Sequence, residues 1–168
     1  SDETFTCGVG KSRSKRYVLI GCYQTLTTEY HILDADRPDD PPRPFIRRQS
    51  GHEYHIDHYG GRFFIRSNAG ARNFRLLETG ADPDQWAQAR WRELIPHRDH
   101  VLIETFELFE DFLVLQERTA GLVRLRVRPW NGDGAHDITF SEPAYDAFID
   151  AHNKVAESTV LRFGYSSL

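Results

Sequence analysis

The 168-residue sequence contains no methionine and only two cysteines, Cys7 and Cys22. Two cysteines cannot build the disulfide framework of a small secreted domain, and their separation does not match a Cys-x-x-Cys metal or redox site. The residue pattern therefore predicts two reduced cysteines within a sheet, where a free cysteine packs as a small apolar side chain.

Long apolar runs and a strong excess of one charge are also missing. No run approaches the roughly 18 consecutive apolar residues of a membrane-spanning helix. The opening residues Ser1, Asp2 and Glu3 are unlike the basic start and apolar run of a secretory signal. A net charge of −4, with both signs interspersed, argues against a dedicated nucleic-acid binder. We therefore expect a cytoplasmic globular domain that has neither a membrane nor a nucleic acid as its partner.

The motifs of a catalytic or metal centre are absent as well. A nucleophile elbow needs Gly-x-Ser-x-Gly, and both 10–12 (Gly-Lys-Ser) and 164–166 (Gly-Tyr-Ser) lack the closing glycine. Three histidines, His52, His55 and His58, are spaced by three residues, so on a strand His55 would face away from the other two. We expect no catalytic residues, no metal site and no cofactor in this chain.

What the sequence does contain is a series of short apolar segments separated by turn residues, which is typical of β-strands. The clearest hairpin joins residues 54–59 to residues 62–67 through the pair Gly60-Gly61. Only residues 83–90, with Asp82 as an N-cap before a proline, are a candidate for helix. The pattern predicts an all-β protein.

The apolar segments recur at a constant interval. Four anchor residues are separated by 45, 49 and 48 positions: Leu19, Phe64, Leu113 and Leu161. In the first three units the anchor of the next strand follows 12 or 13 residues later: Ile32, Leu76 and Leu125. A fourth strand is expected in each complete unit: Phe45–Arg48, Arg92–Ile95 and Asp137–Phe140.

Four short antiparallel strands every 45 to 49 residues is the period of a propeller blade. One four-stranded sheet cannot cover both of its faces, so blades stack around an axis and bury one another. The predicted fold class is an all-β partial β-propeller, a single domain over 1–168 with about three four-stranded antiparallel blades and the start of another. The expected blade limits are 4–48, 53–96, 101–140 and, incomplete, 144–168. An all-β sandwich with accidental self-similarity is the alternative.

Several separated segments resemble the propeller of the prolyl oligopeptidase family of serine peptidases, in particular its oligopeptidase B branch. One of them is 52–79, HEYHIDHYGGRFFIRSNAGARNFRLLET, and the others keep the family's order: 2–34, 91–96 (WRELIP), 142–145 (EPAY) and 161–167 (LRFGYSS). The resemblance implies a fragment of a seven-bladed propeller joined to an α/β-hydrolase domain with a Ser-Asp-His triad. It also implies a propeller that excludes large folded proteins and, in the oligopeptidase B branch, cleavage after Arg or Lys.

The function implied by this resemblance is the gating propeller of a serine oligopeptidase. The parent protein would be the enzyme, and its chemistry would lie in a hydrolase domain outside this chain. The expected partners are that hydrolase domain and the short basic peptides on which the parent acts. Exposed blade edges at the ends of the arc would also let the chain associate with a second copy. A non-catalytic scaffold for protein interactions is the alternative.

The first strand of each propeller blade is innermost and borders the central channel. Five polar residues on these strands are the candidates for the channel lining: Glu53, His55, Asp57, Glu104 and Glu107. Carboxylates beside the channel would attract peptides that contain Arg or Lys by long-range electrostatics. The alternative is that they are exposed or paired with arginines between blades.

Overall fold

The computed structural model describes residues 5–167, in which regular structure is almost entirely β. The chain divides into two compact units, residues 1–96 (the first unit) and residues 97–168 (the second unit). The expected outer blade limits, residues 4 and 168, lie outside the described range. Within that range no helix has the length and apolar character needed to cross a bilayer.

The first unit contains two four-stranded antiparallel sheets, each with its strands in sequence order. The strands of the first sheet are β1 (Thr6–Lys11), β2 (Tyr17–Gln24), β3 (Thr27–Asp34) and β4 (Arg43–Pro44). Those of the second sheet are β5 (Tyr54–Tyr59), β6 (Arg62–Ser67), β7 (Arg75–Gly80) and β8 (Arg92–Ile95). Both sheets are simple meanders.

The second unit contains one four-stranded sheet and one two-stranded sheet, again antiparallel. The four-stranded sheet consists of β9 (Leu102–Leu108), β10 (Phe112–Thr119), β11 (Leu122–Pro129) and β12 (His136–Asp137). The two-stranded sheet pairs β13 (Tyr145–Ile149) with β14 (Phe163–Ser167). Three complete sheets and the beginning of a fourth confirm the predicted count of blades.

Burial along the strands follows the expected periodicities. In β5, Tyr54, Ile56 and His58 are buried while the residues between them are not, which is the alternation of a strand with one covered face. In β6, by contrast, the consecutive residues Phe63 and Phe64 are both fully buried, so solvent reaches neither face of this central strand. Gly60 and Gly61 have φ values of 57° and 75°, as a two-residue hairpin of this hand requires.

The core of the first unit joins its two sheets. Tyr17, Leu19, Tyr30 and Ile32 come from the first sheet, and Ile56, Phe63, Ile65 and Leu77 come from the second. Trp86 packs on Phe63 from the segment between two single-turn 3-10 helices, Pro83–Gln85 and Gln88–Arg90. The Asp82 carboxylate accepts a hydrogen bond from the backbone N–H of Asp84 (3.1 Å), which confirms the predicted N-cap.

Two of the predicted fourth strands are wrong. The fourth strand of the first sheet is β4 rather than Phe45–Arg48, and that of the third sheet is β12 rather than Asp137–Phe140. Phe45 (3% exposed) leaves the sheet edge and enters the core, and Phe140 packs against the apolar cluster of the second unit. In both places the apolar residues that suggested a strand fill a core instead, and the strand is an exposed pair of residues just before them.

The prediction of two reduced cysteines is also wrong, because Cys7 and Cys22 form a disulfide. The two residues are direct partners across β1 and β2, with their Cα atoms 4.1 Å apart. Directly opposed residues of antiparallel strands bring their side chains together on one face, which places two sulfurs within bonding reach. Sequence separation alone did not indicate this pairing, since it follows from the register of the hairpin.

Candidate functional site

The three candidates of the first unit share one side of β5 and its extension. His55 and Asp57 lie on the uncovered face of this strand, and Glu53 directly precedes it in the same alternation. His52 and His58 are buried on the opposite side, at 4% and 2% exposure, which confirms the expected separation of the histidines.

Glu53 is held at the start of β5 by the turn that follows β6. Its backbone N–H donates to Asn68 Oδ1 (2.9 Å), and Asn68 Nδ2 donates to its carboxylate (3.2 Å). The backbone N–H of Asn68 also donates to the carbonyl oxygen of Glu53 (3.1 Å). These hydrogen bonds fix the position of the Glu53 carboxylate, which accepts one of them from the side-chain amide of Asn68.

Asp57 connects β5 to the turn between β1 and β2. Its Oδ1 atom accepts the backbone N–H groups of Arg13 and His58, both at 2.7 Å. Burial raises the pKa of the Asp57 carboxyl to about 6, although these two hydrogen bonds and the nearby Arg13 charge act to lower it. Asp57 therefore changes its charge near pH 6.

His55 ends a chain of hydrogen bonds that crosses from the first sheet to the second. The hydroxyl groups of Tyr23 and Tyr30 lie 2.6 Å apart, and the Tyr30 hydroxyl lies 2.8 Å from His55 Nδ1. Burial raises the pKa of Tyr30, and its hydrogen bond with Tyr23 adds to this effect, so the phenol stays protonated. The chain holds both hydroxyls in fixed positions beside β5.

A cavity of about 300 Å³ between the inner strands β1 and β5 is lined by Tyr23, Tyr30, His55 and Asp57 but not by Glu53. Its walls are formed by ten residues: Gly8, Val9, Gly10, Lys11, Leu19, Tyr23, Tyr30, His55, Ile56 and Asp57. We call this space the inner-strand cavity. It brings together two of the predicted residues, His55 and Asp57, with two tyrosines that sequence reasoning missed.

Glu104 and Glu107 belong to β9 of the second unit. A bulge at Glu104 interrupts the pairing of β9 with β10, so strict alternation no longer separates these two residues. Ile103, Phe106 and Leu108 are buried, while both glutamates are partly exposed. The Glu104 carboxylate accepts hydrogen bonds from Gln116 Nε2 (2.9 Å) and Arg118 Nε. Glu104 is thus paired with an arginine of its own sheet.

A serine of the turn between β1 and β2 also meets a buried histidine of β5, without forming a catalytic triad. The Ser14 hydroxyl lies 2.7 Å from His58 Nδ1, and burial together with the Arg16 charge lowers the pKa of His58 to about 4. Asp57 bonds the backbone N–H of His58 rather than its ring, so no carboxylate orients the imidazole. In the part of the chain from 5 to 167, no three metal-ligating side chains cluster.

The raised pKa of Asp57 predicts a pH-dependent stability. The neutral carboxyl is favoured by folding, so its contribution is fully present below about pH 4 and is lost as the pH rises through about 6. Asp57→Asn stays neutral, and its stability relative to the unmodified protein should therefore rise between pH 4 and pH 7. Urea midpoints measured across this range test the prediction, with the exposed Asp137→Asn as control. Parallel curves for the unmodified protein and Asp57→Asn would contradict it.

The chain belongs to the prolyl oligopeptidase family, and specifically to its N-terminal beta-propeller domain, whose family description matches residues 1–168. This membership confirms the predicted fold class and the family resemblance. The sheets described above are accordingly propeller blades, and β1, β5 and β9 are first strands of their blades.

Among its relatives, the chain is 34% identical to dipeptidyl aminopeptidase BI of Pseudoxanthomonas mexicana, over 99% of this chain and 22% of that protein. It is 26% identical to Protease 2 of Moraxella lacunata, over 99% of this chain and 23% of that protein. Among solved structures, it is similar to oligopeptidase B from Trypanosoma brucei with covalently bound antipain, with a TM-score of 0.88 and 26% identity. That match covers 99% of this chain and 25% of the other. The chain thus spans a quarter or less of the length of these relatives.

Proposed function

We propose that this chain is the substrate-filtering propeller segment of a serine oligopeptidase, with the hydrolase domain elsewhere in the same polypeptide. The observation that carries the proposal is the match of all 168 residues to a peptidase propeller domain. The relatives named above are peptidases, and each is about four times as long as the matched segment. The residues of this chain supply no nucleophile elbow, so the reaction itself falls to the remainder of the enzyme.

The filtering acts on short peptides that carry Arg or Lys. Four of the five candidate channel residues are carboxylates, on or beside the first strands of their blades. Negative groups that border a substrate passage raise the local concentration of cationic peptides and so their rate of entry. Arg118 pairs with Glu104 and offsets part of its charge. A cytoplasmic location is part of the proposal, and cell fractionation tests it.

Neutralising Glu104 and Glu107 together tests the filter. In the intact enzyme, Glu104→Gln with Glu107→Gln should lower kcat/KM for Arg- and Lys-containing peptides several-fold at low salt. The loss should fade as ionic strength rises above about 0.15 M, where the screening length is roughly 8 Å. Glu93→Gln, on the outermost strand of its blade, is the matched control and should leave kcat/KM unchanged. An unaltered salt dependence in the double variant would exclude the filter.

The exposed apolar residues of the two-stranded sheet favour a second role, in protein association. Phe148 (53% exposed) lies on one face of this sheet and Phe163 and Tyr165 lie on the other, and Val155 and Val160 of the segment between the two strands are also exposed. Exposed apolar patches of this kind mark interaction surfaces. We expect the isolated chain to associate with a second copy through these residues, with light scattering showing a mass that increases with concentration. A constant monomer mass up to millimolar concentration would contradict this role.

A further inference from the structure

The inner-strand cavity depends on three glycines, two of which, Gly8 and Gly10, leave side-chain positions empty. Gly8 and Gly10 alternate along β1, and Gly8 pairs directly with Gly21 of β2. A Cβ atom built on Gly8 or Gly10 would meet no other atom within 4 Å. Neither residue has a positive φ, so the backbone does not require glycine there. Glycine inside a strand is destabilising relative to other residues. Gly8 and Gly10 therefore keep the space beside β1 open.

The third glycine positions Tyr23. A Cβ atom on Gly21 would collide with the ring and hydroxyl of Tyr23, because that ring lies back across β2. In this orientation the Tyr23 hydroxyl reaches Tyr30, which in turn reaches His55. When Tyr23 donates to Tyr30 and Tyr30 donates to His55 Nδ1, the lone pairs of the Tyr23 oxygen remain available to a donor in the cavity.

The lining suits a cationic hydrogen-bond donor. Asp57 supplies the one carboxylate among the lining residues, and Tyr23 and Tyr30 supply phenol oxygens and aromatic rings. Guanidinium and ammonium groups bind to carboxylates and also to aromatic faces. Lys11 lies on the rim as an exposed residue, and its flexible stem lets the ammonium group remain in solvent. A volume of about 300 Å³ is at the lower end for ligand sites, which fits one side chain rather than a whole peptide.

The cavity also opens along a strand edge. Four consecutive residues, 8–11, line it, so both faces of β1 contribute. Among the described residues β1 pairs with β2 alone, which leaves the backbone groups of its other edge available. An extended peptide recognises such an edge through its main chain while an adjacent pocket receives one of its side chains.

We propose that the inner-strand cavity is a subsite that binds the side chain of an arginine or lysine residue in an extended peptide. The proposal rests on the proposed peptidase function and gives its filter a defined binding position. Asp57 pairs with the cation, the Tyr23 oxygen accepts a second hydrogen bond, and the edge of β1 aligns the peptide main chain. Specificity then comes partly from the propeller, before the peptide meets the hydrolase domain.

Binding of Nα-acetyl-arginine amide to the intact protein, measured by calorimetry or NMR, tests the proposal directly. The matched probe is Nα-acetyl-citrulline amide, which has nearly the same shape and no charge. We expect the arginine probe to bind at least about tenfold more tightly, since a charged partner is lost with citrulline. Asp57→Asn should remove this preference, and Tyr23→Phe should weaken binding of both probes.

Filling the cavity gives a second, independent variant. Gly10→Val introduces a strand-favouring side chain into open space, so it should abolish probe binding without lowering Tm. Thr6→Val is the matched control, since it lies on the same strand and outside the lining. The same variants should raise KM for basic peptides several-fold in the active enzyme and leave kcat for a small ester substrate unchanged.

The outcomes separate this inference from the proposed function. Equal affinity for the two probes, or full affinity in both Gly10→Val and Asp57→Asn, would overturn the subsite. Peptidase activity on basic peptides would in that case still support the proposed function. Probe binding that is lost in these variants, in a protein without peptidase activity, would support a cation site and overturn the peptidase function.

Discussion

Replacing Phe63 with alanine is expected to lower the free energy of unfolding by about 3–5 kcal/mol, the range for removing a fully buried phenylalanine. Its ring is 0% exposed and lies within 4.8 to 5.7 Å, centroid to centroid, of four other rings: Tyr17, Phe45, His58 and Trp86. These neighbours come from both blades of the first unit. Alanine would leave a void that all of them border, and backbone strands on several sides limit its collapse.

Urea denaturation followed by tryptophan fluorescence measures this loss, since Trp86 is itself one of the neighbours of Phe63. Phe148→Ala is the matched control because it makes the same chemical change at a position that is 53% exposed. We expect the control to change the unfolding free energy by less than about 1 kcal/mol. Similar losses in the two variants would show that burial in this core does not determine the stability of the first unit.

The blades were predictable from sequence because each central strand carries a buried apolar residue at a fixed position. Leu19 lies on β2, Phe64 on β6 and Leu113 on β10, and all three are buried. A repeated unit that must cover its neighbours repeats its core residues, so their spacing reports the period of the fold. The fourth anchor, Leu161, falls two residues before β14.

The outermost strands were less predictable from sequence, because they do not depend on buried apolar side chains of their own. β4 and β12 contain two residues each, and both pairs are exposed. An edge strand is held by backbone hydrogen bonds on one side, so its residues show little apolar pattern. The nearby apolar residues, such as Phe45, belong to the core, and hydrophobicity alone cannot distinguish these two roles.

The positions of candidate residues within one strand were predictable from sequence, but the contacts between residues of different strands were not. Alternation in β5 placed His55 and Asp57 on one face, since the period of two is a local property. The inner-strand cavity, however, depends on the pairing of Gly8 with Gly21 and on the packing of Tyr30 against β5. Alternating glycines in the sequence TCGVGK were the one available signal, and their meaning requires the register of the sheet.

The disulfide between Cys7 and Cys22 is expected to contribute about 3 kcal/mol, the chain-entropy value for a loop of about 15 residues. All six residues of β1 are exposed, so apolar burial does little to hold this strand. The double variant Cys7→Ser with Cys22→Ser should therefore unfold at lower urea than the oxidised protein. Adding dithiothreitol should bring the unmodified protein to the same midpoint and leave the variant unchanged.

A urea midpoint that is the same with and without dithiothreitol in the unmodified protein would contradict this prediction.

The disulfide also restrains one wall of the inner-strand cavity, because β1 forms that wall and the disulfide ties β1 to β2. In a reducing cytoplasm the bond would open, since such compartments keep thiols reduced. The backbone hydrogen bonds between β1 and β2 would then be the main restraint on that wall. Hydrogen exchange in β1 should accordingly be faster in the reduced protein, while exchange in the buried strand β6 should change little.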